Sequence, residues 1–183
     1  MRMRRKPWAR PELAAWEFFI DRPETYSGRW REDYEEDGAL HLELGCGKGA
    51  FAAQYALRFP SVNLLAVDIK SEMLGLAKRR IVADFQAAGC IHYNVRLTAH
   101  DIQWIESMLA PDDRVERIYI NFCNPWPKPR HQKRRLTHTR QLLQYRTFLI
   151  DGGEIWFRTD DDGLFEDSYT YFAQAGFVIL EES

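Results

Sequence analysis

Short apolar runs alternate along this chain with longer stretches whose apolar positions recur at helical spacing. Residues 39–44 are apolar at Leu40, Leu42 and Leu44 and stop at a Gly-x-Gly-x-Gly turn, which predicts a buried first strand. A helix is expected from about residue 48 to 58, then a second strand over residues 62–67 ending at Asp68. Ser71 and Glu72 open a long helix to about residue 88, which Gly89 terminates. Residues 91–99 alternate as a third strand, residues 102–109 read as a short helix, and residues 117–122 form a fourth strand entering the proline-rich stretch 124–129. A helix to about residue 149, a strand over 153–159, a helix through 165–175 and a last strand at 177–180 complete the pattern.

Strands alternating with helices in this way imply a doubly wound α/β domain over residues 39–183, with a mostly parallel sheet and ligands at the carboxyl ends of its strands. Residues 1–38 carry aromatic anchors without clean periodicity and are expected to form a basic, partly ordered N-terminal arm. A chain of 183 residues that is 45% hydrophobic, with six Trp and eleven Phe, fits one such domain with a proper core. Cys46, Cys90 and Cys123 are odd in number and far apart, unlike a disulfide scaffold. No run approaches 18 apolar residues and no apolar signal core follows the basic start, so a soluble, cytoplasmic protein with no membrane contact is expected, as monomer or homodimer.

The formal net charge of −2 hides an asymmetry. Two segments hold all their charge as cations: Arg2, Arg4, Arg5, Lys6 and Arg10, and then Lys128, Arg130, Lys133, Arg134, Arg135 and Arg140. Of the 25 basic residues this leaves 14 to face all 27 acidic ones elsewhere. A polyanion met at two local patches fits that distribution, although a solvated charged face is the plainer reading of either patch alone.

After the first strand, Gly45, Gly47 and Gly49 let the backbone turn sharply and approach a ligand with no Cβ in the way. Asp68, at the end of the second strand, is placed to take ribose hydroxyls, so the ligand contains adenosine. A dinucleotide site needs Gly-x-Gly-x-x-Gly to set a pyrophosphate on the helix N-terminus, whereas here Glu43 precedes a different spacing and would repel it. A carboxylate there suits the amino group and sulfonium of S-adenosylmethionine. Asp101, after the third strand, either contacts the adenine edge, caps the next helix, or does both. Taken alone, the glycines are equally well a tight strand-to-helix turn.

The most informative stretch is residues 119–137, Tyr-Ile-Asn-Phe-Cys-Asn-Pro-Trp-Pro-Lys-Pro-Arg-His-Gln-Lys-Arg-Arg-Leu-Thr. With Gly28-Arg29-Trp30, the loop at 43–49, Asp68-Ile69 and Phe157-Arg158-Thr159-Asp160, it closely resembles the bacterial tRNA (guanine-N7)-methyltransferases over nearly the whole chain. That family carries Asn-Phe-x-Asp-Pro-Trp-Pro-Lys-x-[Arg/Lys]-His-x-Lys-Arg-Arg-Leu at this place. The resemblance implies a Rossmann-like class I fold, S-adenosylmethionine as cofactor, and methylation of guanine N7 in tRNA at variable-loop position 46. It also implies substrate contacts by Lys128 and Asp160, and a catalytic, cofactor-touching residue at position 124. Guanine N7 has a free lone pair, so the task is positioning it in line with the sulfonium at roughly 3–3.5 Å and stabilising positive charge on the purine.

Lys128, Arg130, Lys133, Arg134 and Arg135 are expected to bind RNA phosphates beside the pocket, giving affinity rather than base specificity. His131 and His138 fit loop support, Trp126 fits either a stacked base or a packed aromatic, and His41, His92 and His100 lack metal-ligand spacing.

The chain departs from the family pattern twice. The family's Asp is Asn124 here, which keeps a hydrogen-bonding side chain but brings no negative charge. Asn-Pro-Trp also resembles the Asn-Pro-Pro-[aromatic] loop of amino-methyltransferases, so transfer to an exocyclic or amide NH2 through Asn124 is the alternative, and a tRNA-binding protein with a decayed catalytic site a third. In addition, the family continues beyond Glu181-Glu182-Ser183 with a Thr-x-[Tyr/Phe]-Glu segment and a final strand, so the resemblance implies a sheet lacking its last strand.

Overall fold

The structure is a computed structural model that describes residues 4–182; Arg2 of the basic N-terminus and Ser183 lie outside the described residues. Six strands, β1 Phe19–Ile20, β2 Ala39–Leu44, β3 Val62–Asp68, β4 Val95–Ala99, β5 Val115–Asn121 and β6 Leu149–Arg158, form one sheet in the order β1-β4-β3-β2-β5-β6. Every neighbouring pair is parallel. The helices are α1 Ala9–Ala14, α2 Ala50–Arg58, α3 Ser71–Ala87, α4 Thr139–Phe148 and α5 Asp162–Gln174.

A parallel sheet must be covered on both faces, and the alternation of side chains along each strand fills two cores. Leu40, Leu42 and Leu44 of β2 pack with Ile118 and Ile120 of β5 and with Leu142, Tyr145 and Phe148 of α4. On the other face, Leu64 and Ala66 of β3 pack with Ala52 and Ala56 of α2 and with Leu74, Ala77, Ile81 and Phe85, one apolar stripe of α3.

Several boundaries differ from the sequence pattern for local reasons. The strand expected at 91–99 begins at Val95, because Asn94 turns the chain by donating its side-chain amide to the carbonyls of Ala56, Phe59 and Val62. The helix expected at 102–109 is a 3-10 turn over Ile102–Ser107, interrupted at Trp104. β6 starts directly after α4, earlier than residue 153. No strand forms at 177–180: Phe177 packs edge-on to Phe172 at 5.8 Å, after which Val178 and Leu180 are each 80% exposed and β6 stays the sheet edge.

Part of the N-terminal segment packs onto the sheet and α3. β1 pairs with β4, Phe19 opposite Leu97, and α1 lies so close to α3 that a Cβ at Gly75 would sit 2.7 Å from that of Ala9. The Gly28-Arg29-Trp30 motif is structural. Trp30 is fully buried and donates its indole N–H to the Met108 carbonyl at 2.7 Å, while the buried Asp113 carboxylate accepts from the amides of Gly28, Trp30 and Ala110 at 2.8–3.0 Å. Arg96, with 4% of its side chain exposed, pairs with Asp33 and lies against the rings of Phe18 and Tyr34. These anchors are single residues at irregular spacing, so periodicity does not announce them.

The chain winds outward through β2, β3 and β4, then returns to place β5 and β6 on the other side of β2. The carboxyl ends of β2 and β5 therefore open onto a topological switch point, the crevice where doubly wound sheets bind ligands.

Candidate active site

The glycine loop enters this crevice from β2. Gly45, Gly47 and Gly49 all have positive φ, at 78°, 54° and 74°, a region that only glycine occupies without strain. Their spatial roles differ. A Cβ at Gly45 or Gly47 would meet nothing nearer than 3.5 Å, whereas one at Gly49 would lie 2.7 Å from the Ala77 Cβ. Gly49 thus allows α2 to pack on α3.

Four of the loop amides are already spent. Those of Gly45 and Cys46 donate to the Val67 carbonyl at 2.8 and 3.0 Å, that of Gly47 to Asp68 Oδ2 at 3.0 Å, and that of Gly49 to the Cys46 carbonyl at 3.0 Å. Asp68 also receives the Lys70 amide at 3.0 Å, so it fixes the loop against the end of β3. A phosphate cradle needs free N–H groups, and these four do not supply it.

Glu43, the next to last residue of β2, is 2% exposed. Burial pushes its carboxyl up to about 8, with Asp68 adding to the rise and the neighbouring Asn121 opposing it. Its Oε2 and the Asn121 Nδ2 are both buried without a hydrogen-bond partner. A buried acceptor and a buried donor left open side by side match a ligand carrying an ammonium and a carboxylate. Asn121 escaped the sequence reading because an asparagine inside a strand carries no spacing signal; its place before the loop at 122–136 was the only hint.

Asp101 accepts the Gln103 amide at 3.0 Å and so caps the 3-10 turn that follows β4. Ile69, directly after β3, and Trp104, in the 3-10 turn after β4, are apolar yet 59% and 62% exposed.

The loop after β5 roofs the crevice, with Leu136 nearest to where a Gly45 Cβ would stand. It begins with two strained residues, Phe122 and Trp126, at φ of 50° and 44°. Between them Asn124 is exposed, and its Oδ1 accepts the Trp126 amide at 3.1 Å. That bond holds the side chain in an Asx turn. Trp126 itself packs locally, edge-on to His131 at 5.6 Å and with the Arg134 guanidinium 5.2 Å from its ring centre.

Lys128, Arg130, Lys133 and Arg134 are exposed along this loop, together with Asp160 just beyond β6. Their field is felt at His131, whose imidazole is held below its ordinary value by desolvation and by Arg130, Arg134 and Lys128. Arg135 is different. Only 4% of its side chain is exposed, and it binds Asp167 at 2.5 Å, the Pro125 carbonyl at 2.8 Å and the Tyr171 hydroxyl at 3.2 Å. It therefore ties the loop to α5 instead of offering itself to a phosphate, because an acid and two oxygens already satisfy its fork. His138 likewise caps α4, accepting the Arg140 amide at 3.1 Å. Among the described residues there is no group of three or more His, Cys, Asp or Glu suited to a metal ion, and no helix long and apolar enough to cross a membrane.

Residues 37–183 match a family model described as "Putative methyltransferase". The chain is 56% identical over 180 residues to the tRNA (guanine-N(7)-)-methyltransferase of Ruminiclostridium cellulolyticum, spanning 98% of this chain and 76% of that one. It is 55% identical over 179 residues to the protein of the same name from Clostridium beijerinckii, spanning 98% and 82%. In fold it is similar to the crystal structure of precorrin-6y C5,15-methyltransferase from Geobacter metallireducens, with a TM-score of 0.58 and 12% identity over 77% of this chain and 63% of that one. The identity to the curated relatives, sustained over almost every residue described above, settles the family: this chain belongs to the tRNA (guanine-N(7)-)-methyltransferases.

Proposed function

We propose that this chain transfers the methyl group of S-adenosylmethionine to N7 of a guanine in tRNA, at variable-loop position 46. The observation that carries the reading is Glu43: a buried carboxyl with an unpartnered oxygen, beside a glycine loop that spends the amides of Gly45, Cys46, Gly47 and Gly49 within the fold, suits a cation better than a phosphate. The groups present fit the cofactor. Glu43 holds its amino group, Asn121 its carboxylate, Asp68 its ribose and Asp101 its adenine edge, while Gly45 and Gly47 leave it room.

S-adenosylmethionine, when bound, supplies a methyl group activated by a positive sulfur. The remaining work falls to the chain. Guanine N7 would accept the methyl group with its own lone pair, so no side chain would have to remove a proton. What the protein must provide is alignment and a countercharge for the purine. Asn124, fixed by the Trp126 amide, keeps its NH2 free to donate to guanine O6, and Asp160 contacts the substrate. Lys128, Arg130, Lys133 and Arg134, with Arg4, Arg5, Lys6 and Arg10 of the N-terminal segment, bind backbone phosphates.

Incubating the protein with methyl-labelled S-adenosylmethionine and unmodified tRNA, then identifying the labelled nucleoside, tests the reading. Label in 7-methylguanosine supports it. Label in N6-methyladenosine, or in a methylated amide, would instead establish the amino-methyltransferase alternative through Asn124.

A further inference from the structure

We propose that Phe122 is the platform on which the target guanine stacks during methyl transfer, an inference that rests on the function just proposed. Phe122 follows Asn121, which borders Glu43, and precedes Asn124 by two residues, so it stands between the cofactor groups and the substrate loop. It is an apolar ring 65% exposed, belonging to neither hydrophobic core. Among the described residues it makes no aromatic or cation contact. Its backbone has φ of 50°, a left-handed conformation that a bulky side chain seldom adopts, and the fold enforces it through the Phe122 amide, which donates to the Arg158 carbonyl of β6 at 2.8 Å. Exposed apolar area combined with an enforced, unfavourable backbone is the mark of a residue aimed at a ligand rather than at the core.

The chemistry requires such a surface. The proposed target lies in the variable loop, and proteins read a loop base splayed out of its stack, which lets it reach a cofactor at the switch point. An unstacked base regains the lost contact on an aromatic face. Trp126, the other aromatic of the loop, is engaged by Arg134 and His131, whereas Phe122 is open.

The test compares wild type with Phe122→Leu, which keeps a β-unbranched apolar residue at the same backbone position, and with Phe122→Trp. Wild type first locates the target guanine, and a tRNA carrying 2-aminopurine there reports stacking by fluorescence quenching. Phe122→Leu is expected to lower kcat/KM for tRNA on the order of 10-fold to 100-fold and to abolish the quenching, with S-adenosylhomocysteine affinity and Tm as in wild type. Phe122→Trp is expected to retain both activity and quenching. A leucine variant within twofold of wild type, a tryptophan variant as impaired as leucine, or a leucine variant that loses S-adenosylhomocysteine affinity overturns the assignment to Phe122. Failure of wild type itself to methylate tRNA overturns the proposed function, and this proposal with it.

Discussion

The Asn121 amide leans on the Glu43 carboxyl from the neighbouring strand, yet no well-formed hydrogen bond closes between them, and each keeps one buried polar atom open. Since burial lifts the Glu43 carboxyl to about 8, it is protonated in the cofactor-free protein at neutral pH, whereas a cationic cofactor binds the carboxylate. Binding must therefore release a proton. The dissociation constant for S-adenosylmethionine is expected to fall roughly tenfold per pH unit from pH 6 to 7.5, and Glu43→Gln to bind weakly at every pH without this slope. Calorimetric titration across that range checks it; equal affinity at both ends would remove Glu43 from the cofactor site.

The same shift has a stability consequence of definite sign. A carboxyl whose folded value is raised from 4.5 to about 8 contributes stability that is fully present below 4.5 and is lost as pH rises through 8. Cofactor-free Glu43→Gln should thus melt close to wild type at pH 4 and clearly above it at pH 9, a comparison thermal denaturation makes directly.

Asn124→Asp is expected to raise kcat for tRNA methylation on the order of 10-fold to 100-fold, because it adds negative charge where the purine becomes positive while one oxygen still accepts the Trp126 amide. Steady-state kinetics with saturating cofactor read the change. An unchanged or lower kcat would contradict that electrostatic role.

Gly49 and Gly152 share a positive φ but not a neighbourhood. Gly49→Ala drives a Cβ to 2.7 Å from that of Ala77, whereas nothing lies within 4 Å of the position at Gly152. The first substitution should cost about 3 kcal/mol and lower Tm by about 10 °C, the second about 1 kcal/mol and about 3 °C. Equal losses in differential scanning calorimetry would contradict the close approach of α2 to α3.

Single alanine substitutions of Lys128, Arg130, Lys133 or Arg134 should each flatten the salt dependence of tRNA binding by about one unit of slope at unchanged Tm. Arg135→Ala should instead destabilise the fold by about 2 kcal/mol, since it empties a buried partner of Asp167, Tyr171 and the Pro125 carbonyl. Titrating binding against salt separates the two behaviours.

The strands and helices that position the site were legible because β2, β3 and α3 carry the periodicities a two-faced sheet demands, and the family motif marks the loop after β5. The N-terminal packing was not, since one buried tryptophan, one buried aspartate and one buried arginine hold it without any repeat. Along the loop after β5, the packing role of Arg135 was not readable, because a cation in a basic run looks the same whether its acid partner is absent or, like Asp167, comes from a distant helix.

Position-resolved cleavage of tRNA tests the account most directly. A 7-methylguanosine carries its positive charge into a ring that borohydride reduces, and aniline then cuts the strand there. After incubation with this protein and S-adenosylmethionine, unmodified tRNA should be cut at one variable-loop guanine, and Glu43→Gln should leave it nearly intact. A tRNA that stays whole under wild-type enzyme, with label absent or carried on an amino group, would contradict the account.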